Sequence, residues 1–244
     1  IKPYYDRVDR FVGIFGSNEN LPNDPDGIFQ PPPKPRCYEL LVKKASDKLN
    51  ITCIPARMSV ITRPLNGRRA CHYCGQCNRG CTIKANFSSP DVLIAPALAT
   101  KRLTLITNAM AREVTLGTNG LANGVSFINK NTGMDEHVRA KIVVLAASAC
   151  ETARILLNSK IANSSGVLGH YLMDHPYLTV SAVIPGMLDK YTIGNWPAGV
   201  WMPRFHNVEG QTAPFLRGFS YEPSASRANW TEGASMPGYG AALK

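Results

Sequence analysis

No stretch of this chain comes near the roughly 18 uncharged apolar residues of a membrane-spanning helix, and the apolar run from Ile142 to Ala149 has only the length of a strand. An opening Met and a signal-peptide pattern are also missing. The chain starts Ile-Lys-Pro-Tyr-Tyr-Asp-Arg, so it is read either as a mature form or as a segment of something longer. No internal repeat occurs. Nor is there a basic block, although the formal charge is +10. Arg7, Arg10, Lys34, Arg36, Lys43, Lys44, Arg57, Arg68, Arg69, Lys101, Arg102, Arg112, Arg139 and Arg154 are scattered, with no aromatic RNA-binding signature among them. That distribution excludes the clustered phosphate-binding surface of a nucleic-acid protein and leaves a solvated basic surface able to dock an acidic partner.

What is present begins with periodicity. Ile1, Tyr4, Tyr5, Val8, Phe11 and Val12 recur at three- and four-residue spacing, predicting a helix over 1–15. Residues 17–36 hold Asn, Asp, Gly and a Pro-Pro-Pro-Lys-Pro run, a composition that excludes helix and inner strand. Tyr38, Leu41, Ala45 and Leu49 restore the helical period over 37–49; 51–62 is β-like, and a short helix is expected around 91–100. Strands are predicted at 103–109, 111–117, 124–130 and 138–148. Thr-Asn-Gly at 118–120 and Asn-Thr-Gly at 131–133 tolerate positive φ and so mark the turns of an antiparallel meander. The continuous apolar run Ile142–Ala147 predicts a strand buried on both faces of a parallel sheet. A helix follows at 150–159, a loop at 163–176, and strand-like stretches beyond 177.

Four of the seven cysteines, Cys71, Cys74, Cys77 and Cys81, lie in the loop 67–84 as C-x-x-C-x-x-C-x-x-x-C, while Cys37, Cys53 and Cys150 are isolated. The spacing is that of bacterial ferredoxins, with Thr82 where a Pro usually follows. Gly75 and Gly80 free the backbone to wrap a cubane, and Arg68, Arg69, Arg79 and Lys84 are expected to stabilise thiolates. A four-iron centre on all four, or a three-iron centre on three, fits this pattern. Two alternatives stay open. One is a tetrahedral zinc, with His72 a candidate replacement for one thiolate; the other is a pair of local disulfides. The three isolated cysteines read as small buried hydrophobes.

The order of segments from Ser88 to Pro176 resembles the middle of glucose-methanol-choline flavoproteins. The matching pieces are the helix SSPDVLIAPALATK, the strand LTLITNAMAREV, the meander, the strand IVVLAASA, the helix ETARILLNS and the junction GHYLMDHP. Ala153 stands where that family usually has Pro and Lys160 where it has Gly, departures compatible with its bacterial sugar, polyol and gluconate dehydrogenase branch. The resemblance implies an α/β fold: a portion of an FAD-binding Rossmann-like domain with its antiparallel meander over 1–176, then the start of a β-rich substrate domain over 177–244. It also gives the backbone of Ala111 to the adenine. A dinucleotide must lie against bare backbone, so Ala147, Ser148 and Ala149 are assigned to the flavin-facing turn. The plainer alternative is a well-packed strand end.

The implied activity is hydride removal from the C–OH of an alcohol, sugar, polyol or sugar acid, with electrons leaving through an iron–sulfur cluster to an acceptor such as a cytochrome subunit. A G-x-G-x-x-G fingerprint is absent, since Gly13, Gly16, Gly27, Gly238 and Gly240 do not form one. The family's late catalytic His has no counterpart either, and His175 reads as a structural cap. Remaining segments of the same enzyme are therefore expected partners, and no catalytic residue is assigned. The rival readings are a catalytically incomplete subunit and a zinc-loop binding module in a larger assembly. Relatives with cytochrome partners point to the periplasm or to membrane association through a partner; cluster assembly leaves the cytoplasm open.

Overall fold

A computed structural model describes residues 1–21, 24–75, 77–182, 199–204, 210, 213–215 and 218–225. The chain falls into two compact units, Ile1–Thr100 with Val183–Lys244, and Lys101–Ala182. The boundary expected at 176/177 separates cofactor from substrate roles and is a different matter from this division by packing.

In the first unit the N-terminal helix forms as α1 (Lys2–Val8), prolonged by a π-helical turn at Asp9–Gly13. Pro3 lies in the opening turn, where its missing amide costs nothing. Gly13 (φ 79°) ends the run at a point where an added Cβ would stand 2.3 Å from Ile61 Cγ2. The predicted apolar stripe is uncovered: Tyr4, Tyr5, Val8 and Phe11 are exposed, and Val12 alone of that face is buried. The described residues of 17–36 are irregular, as their composition requires. Gln30 fastens them, its Oε1 accepting the amides of Thr62 at 2.7 Å and Arg63 at 2.8 Å. Arg57 adds an ion pair to Asp24 and lies 4.7 Å from the centre of the Phe29 ring.

Helix α2 (Cys37–Lys48) starts where the prolines stop, and the Glu39 carboxylate closes its first turn by accepting the Arg36 amide at 2.8 Å. Asn50, at φ 52°, follows its end. Of the β-like stretch 51–62 only β1 (Ile54–Pro55) pairs as a strand, with β5 (Val200–Arg204), which pairs in turn with β6 (Phe219–Tyr221); both pairings are antiparallel. The remainder makes isolated bridges, Phe15 with Met58 and Val60 with Asn86. Phe15 and Ile61 are fully buried there. The helix expected near 91–100 forms as a π-helical turn Pro90–Ile94 running into α3 (Ala95–Ala99).

The second unit is the predicted meander with a helix against it. Strands β2 (Ala109–Leu116), β3 (Ala122–Asn129) and β4 (Asp135–Arg139) pair antiparallel in chain order, and Gly120 and Gly133 take positive φ in the two turns. Helix α4 (Ser148–Ser159) buries Ile155. Two expectations are corrected. Residues 103–108 form no paired strand, and Ile142–Ala147 is neither paired nor buried: Ile142 is 80% and Val144 81% exposed. The reason is topological. A strand covered on both faces needs neighbours in a parallel sheet, and the described residues of this unit pair only as β2-β3-β4. Residues 177–182 likewise make no strand; the rest of that predicted stretch lies outside the described residues. No helix among the described residues is long and apolar enough to cross a membrane.

Candidate cofactor site and cysteine loop

Helix α4 organises the first group of candidate residues. At its start Ala147 is half-buried and Ser148 and Ala149 are exposed. Ser148 adopts φ 67°, a left-handed backbone that side chains other than glycine's adopt at a cost of about 1–2 kcal/mol. The turn is therefore open rather than filled by packed side chains. That satisfies the first requirement of a dinucleotide contact, small residues with accessible backbone.

Ala111 lies in β2 opposite Phe127, just before a register irregularity between Ala111 and Glu113. Among the described residues β2 is an edge strand, and three side chains of α4 hold that edge. Arg154 Nη2 donates to the Ala111 carbonyl at 2.7 Å, Asn158 Nδ2 to the Arg112 carbonyl at 3.3 Å, and Ser159 Oγ accepts the Val114 amide at 2.8 Å. Arg154 is braced by Glu151, Nε to Oε2 at 2.9 Å, and this bond lowers the Glu151 carboxyl below its ordinary pKa. Because a carbonyl oxygen has two lone pairs, the Arg154 bond leaves Ala111 one acceptor position. These three α4 residues were not anticipated from sequence. Their 154, 158, 159 spacing marks one helical face, but a polar helical face normally reads as solvated surface.

The cysteine loop hangs from the core of the first unit. Cys71 donates its amide to the Ile61 carbonyl at 2.9 Å. Tight winding follows, with positive φ at Tyr73, Gly75, Gly80 and Lys84. Cys71 Sγ accepts the Tyr73 amide at 3.3 Å and Cys81 Sγ the Asn86 amide at 3.5 Å. Amide-to-sulfur bonds of this kind favour thiolate ligands and tune clusters. Burial pushes the Cys71 thiol upward, the Tyr73 amide opposes this, and the charges of Cys81 and Cys74 raise it further. The chemistry of the donors thus suits a metal or cluster, but among the described residues no three His, Cys, Asp or Glu side chains are gathered to hold one. No disulfide is formed among the described residues.

The expected cationic collar is placed differently. Arg68 is buried and donates Nη2 to the Val12 carbonyl, and Lys84 pairs with Asp91 at 3.5 Å. Neither contributes to the shift at Cys71. Burial of Cys53 agrees with its reading as a small hydrophobe, whereas Cys37 is half-buried and Cys150 exposed. His175 is exposed, its amide bonded to Asp174 Oδ1 at 2.7 Å.

The described residues thus present a meander held along one edge by a helix, an open small-residue turn at the start of that helix and, in the other unit, a thiol-rich loop. Residues 41–177 match the model of the GMC oxidoreductase family, and the chain belongs to that family, whose N-terminal domain is Rossmann-like and binds FAD. It is 30% identical to a 2-methyl-1,2-propanediol dehydrogenase of Mycolicibacterium austroafricanum, over 98% of this chain and 45% of that protein. It is also 24% identical to a paromamine 6'-oxidase of Streptomyces fradiae (81% and 37%), and 28% identical to the large subunit of a fructose dehydrogenase of Gluconobacter japonicus (74% and 35%). The chain spans less than half the length of these relatives.

Proposed function

We propose that the chain is the interior part of an FAD-dependent dehydrogenase acting on the CH–OH group of a sugar, polyol or sugar acid, with electrons leaving through an iron–sulfur cluster to an external acceptor such as a cytochrome subunit. The observation that carries the reading is the family match over 41–177, a segment that contains the cysteine loop, Ala111 and the 147–149 turn. The activities for which the relatives are named, a diol dehydrogenase and a fructose dehydrogenase subunit among them, support the substrate class.

The chemistry supplied by bound FAD would be hydride removal from the C–OH carbon, and that of a cluster the onward passage of single electrons. This chain's residues bind and orient. The backbone of Ala111 receives the adenine, the turn Ala147–Ser148–Ala149 leaves backbone bare against the dinucleotide, and Cys71, Cys74, Cys77 and Cys81, all four or three of them, ligate the cluster. The glycine fingerprint, the catalytic His and most of the substrate pocket belong to the remaining segments of the enzyme. An acceptor of this type goes with a periplasmic location or attachment to a membrane through a partner.

The test is purification of the full-length enzyme without oxygen, followed by absorbance spectra, iron and acid-labile sulfide analysis, and flavin bleaching by a panel of sugars and polyols. Flavin bands with iron and sulfide, both lost in Cys71→Ser while the flavin stays, are expected. Flavin without iron and sulfide removes the relay, zinc in their place assigns the loop to a structural metal, and absence of flavin overturns the enzyme reading.

A further inference from the structure

We propose that Arg154 is a positioning residue for the adenine end of the cofactor: from α4 it holds the Ala111 carbonyl at the irregularity of β2, locking the strand that meets the adenine to the helix that begins at the flavin-facing turn. This inference rests on the FAD reading given above.

The free edge of a terminal strand offers a row of donors and acceptors to any passing strand. Here α4 occupies that row from one face, Arg154 on the Ala111 carbonyl, Asn158 on the Arg112 carbonyl and Ser159 on the Val114 amide. With three of its groups taken the edge cannot extend the sheet. One acceptor position on Ala111 still serves a flat ring that pairs with a single residue. Arg154 differs from the other two in being charged, so its bond to the carbonyl is the stronger kind, and Glu151 at 2.9 Å fixes its direction.

The geometry also links the two proposed cofactor contacts. Ser148 and Arg154 are both in α4 (Ser148–Ser159), and Ile155, fully buried beside Arg154, seats that helix. A helix is rigid over this length, so holding Ala111 to residue 154 fixes its separation from the turn at 147–149. Loss of the Arg154 bond frees the carbonyl to shift within the irregular register between Ala111 and Glu113, while Asn158, Ser159 and Ile155 keep the helix docked. Its effect is therefore expected at the adenine end and not at the flavin ring.

The experiment uses the full-length enzyme, stripped of flavin and retitrated with FAD, for wild type, Arg154→Met and Arg154→Lys. Three quantities are read: the FAD dissociation constant, the inhibition of FAD rebinding by ADP, and kcat at saturating FAD. Thermal unfolding of the flavin-free protein serves as the control. Arg154→Met is expected to weaken both FAD and ADP by about tenfold, the scale of one charge-assisted hydrogen bond, with kcat at saturation near wild type and a modest fall in the flavin-free unfolding midpoint from loss of the same bond. Arg154→Lys, which keeps one charged donor, should recover part of the loss. Unchanged FAD and ADP affinity overturns the proposal, as does a fall in kcat that parallels the loss of affinity, or a lowered midpoint with no preferential loss of ADP. A wild-type enzyme that takes up no FAD sinks the underlying flavoprotein reading instead, and is recognised before any variant is compared.

Discussion

Lys160 offers a direct measurement of strain in this fold. It follows α4 with φ 55° and ψ 39°, a left-handed conformation, and the chain closes the helix there: its amide reaches the Leu157 carbonyl at 3.1 Å and the Ile161 amide the Leu156 carbonyl at 3.3 Å. In that conformation a Cβ crowds the following carbonyl at a cost of about 1–2 kcal/mol. Replacing Lys160 with Gly removes the clash but adds freedom to the unfolded chain, which costs roughly 0.5–1 kcal/mol. The balance favours Lys160→Gly by about 0.5–1 kcal/mol, read as a higher Tm. Lys160→Ala keeps the Cβ and is exposed like the native residue, so it should leave Tm where it is. Thermal unfolding of the three proteins, with hydrogen exchange of the last α4 amides as a local readout, decides the matter. A Gly variant no more stable than the Ala variant would refute the assignment of strain to this backbone.

Two other outcomes follow from burial. Ile155, 2% exposed under α4, should cost about 2–5 kcal/mol when cut to Ala and roughly 0.5–1.5 as Val, read by denaturant titration. Cys53 is 6% exposed, and burial raises its thiol pKa, opposed by the Ser46 hydrogen bond and Lys43. A folded pKa above the unfolded one means that the neutral thiol's contribution is complete below about pH 8.5 and is lost as pH climbs through the folded value. Alkaline unfolding should therefore be blunted in Cys53→Ala relative to its own stability at neutral pH, and identical pH profiles for the two proteins would count against it.

Local features of this chain were legible because their causes are local. The prolines of 31–35 stop any helix before Cys37. The Thr-Asn-Gly and Asn-Thr-Gly turns place β2 and β3, whose observed bounds lie within about two residues of the pattern, and the start of β4, which ends at Arg139 where the pattern ran on to 148. The small residues at 147–149 mark an open turn. The apolar run at 142–147 misled, being neither paired nor buried. Its composition reports how a segment prefers to be buried, not whether neighbours are there to bury it, and the described residues supply none. The stripe Tyr4, Tyr5, Val8 and Phe11 makes the same point: the helix forms, and its face stays exposed.

By itself, then, the order of residues determined which segments coil, which extend and turn, and where thiols and bare backbone occur. Backbone geometry and side-chain period act over a few residues. Only the folded chain decided that Arg154, Asn158 and Ser159 hold the edge of β2 and that Arg68 turns inward to the Val12 carbonyl. Those pairings join groups about 40 to 56 positions apart in the helix-to-strand and Arg68 cases. A hydrogen bond's direction depends on where distant backbone comes to lie, which no local pattern encodes.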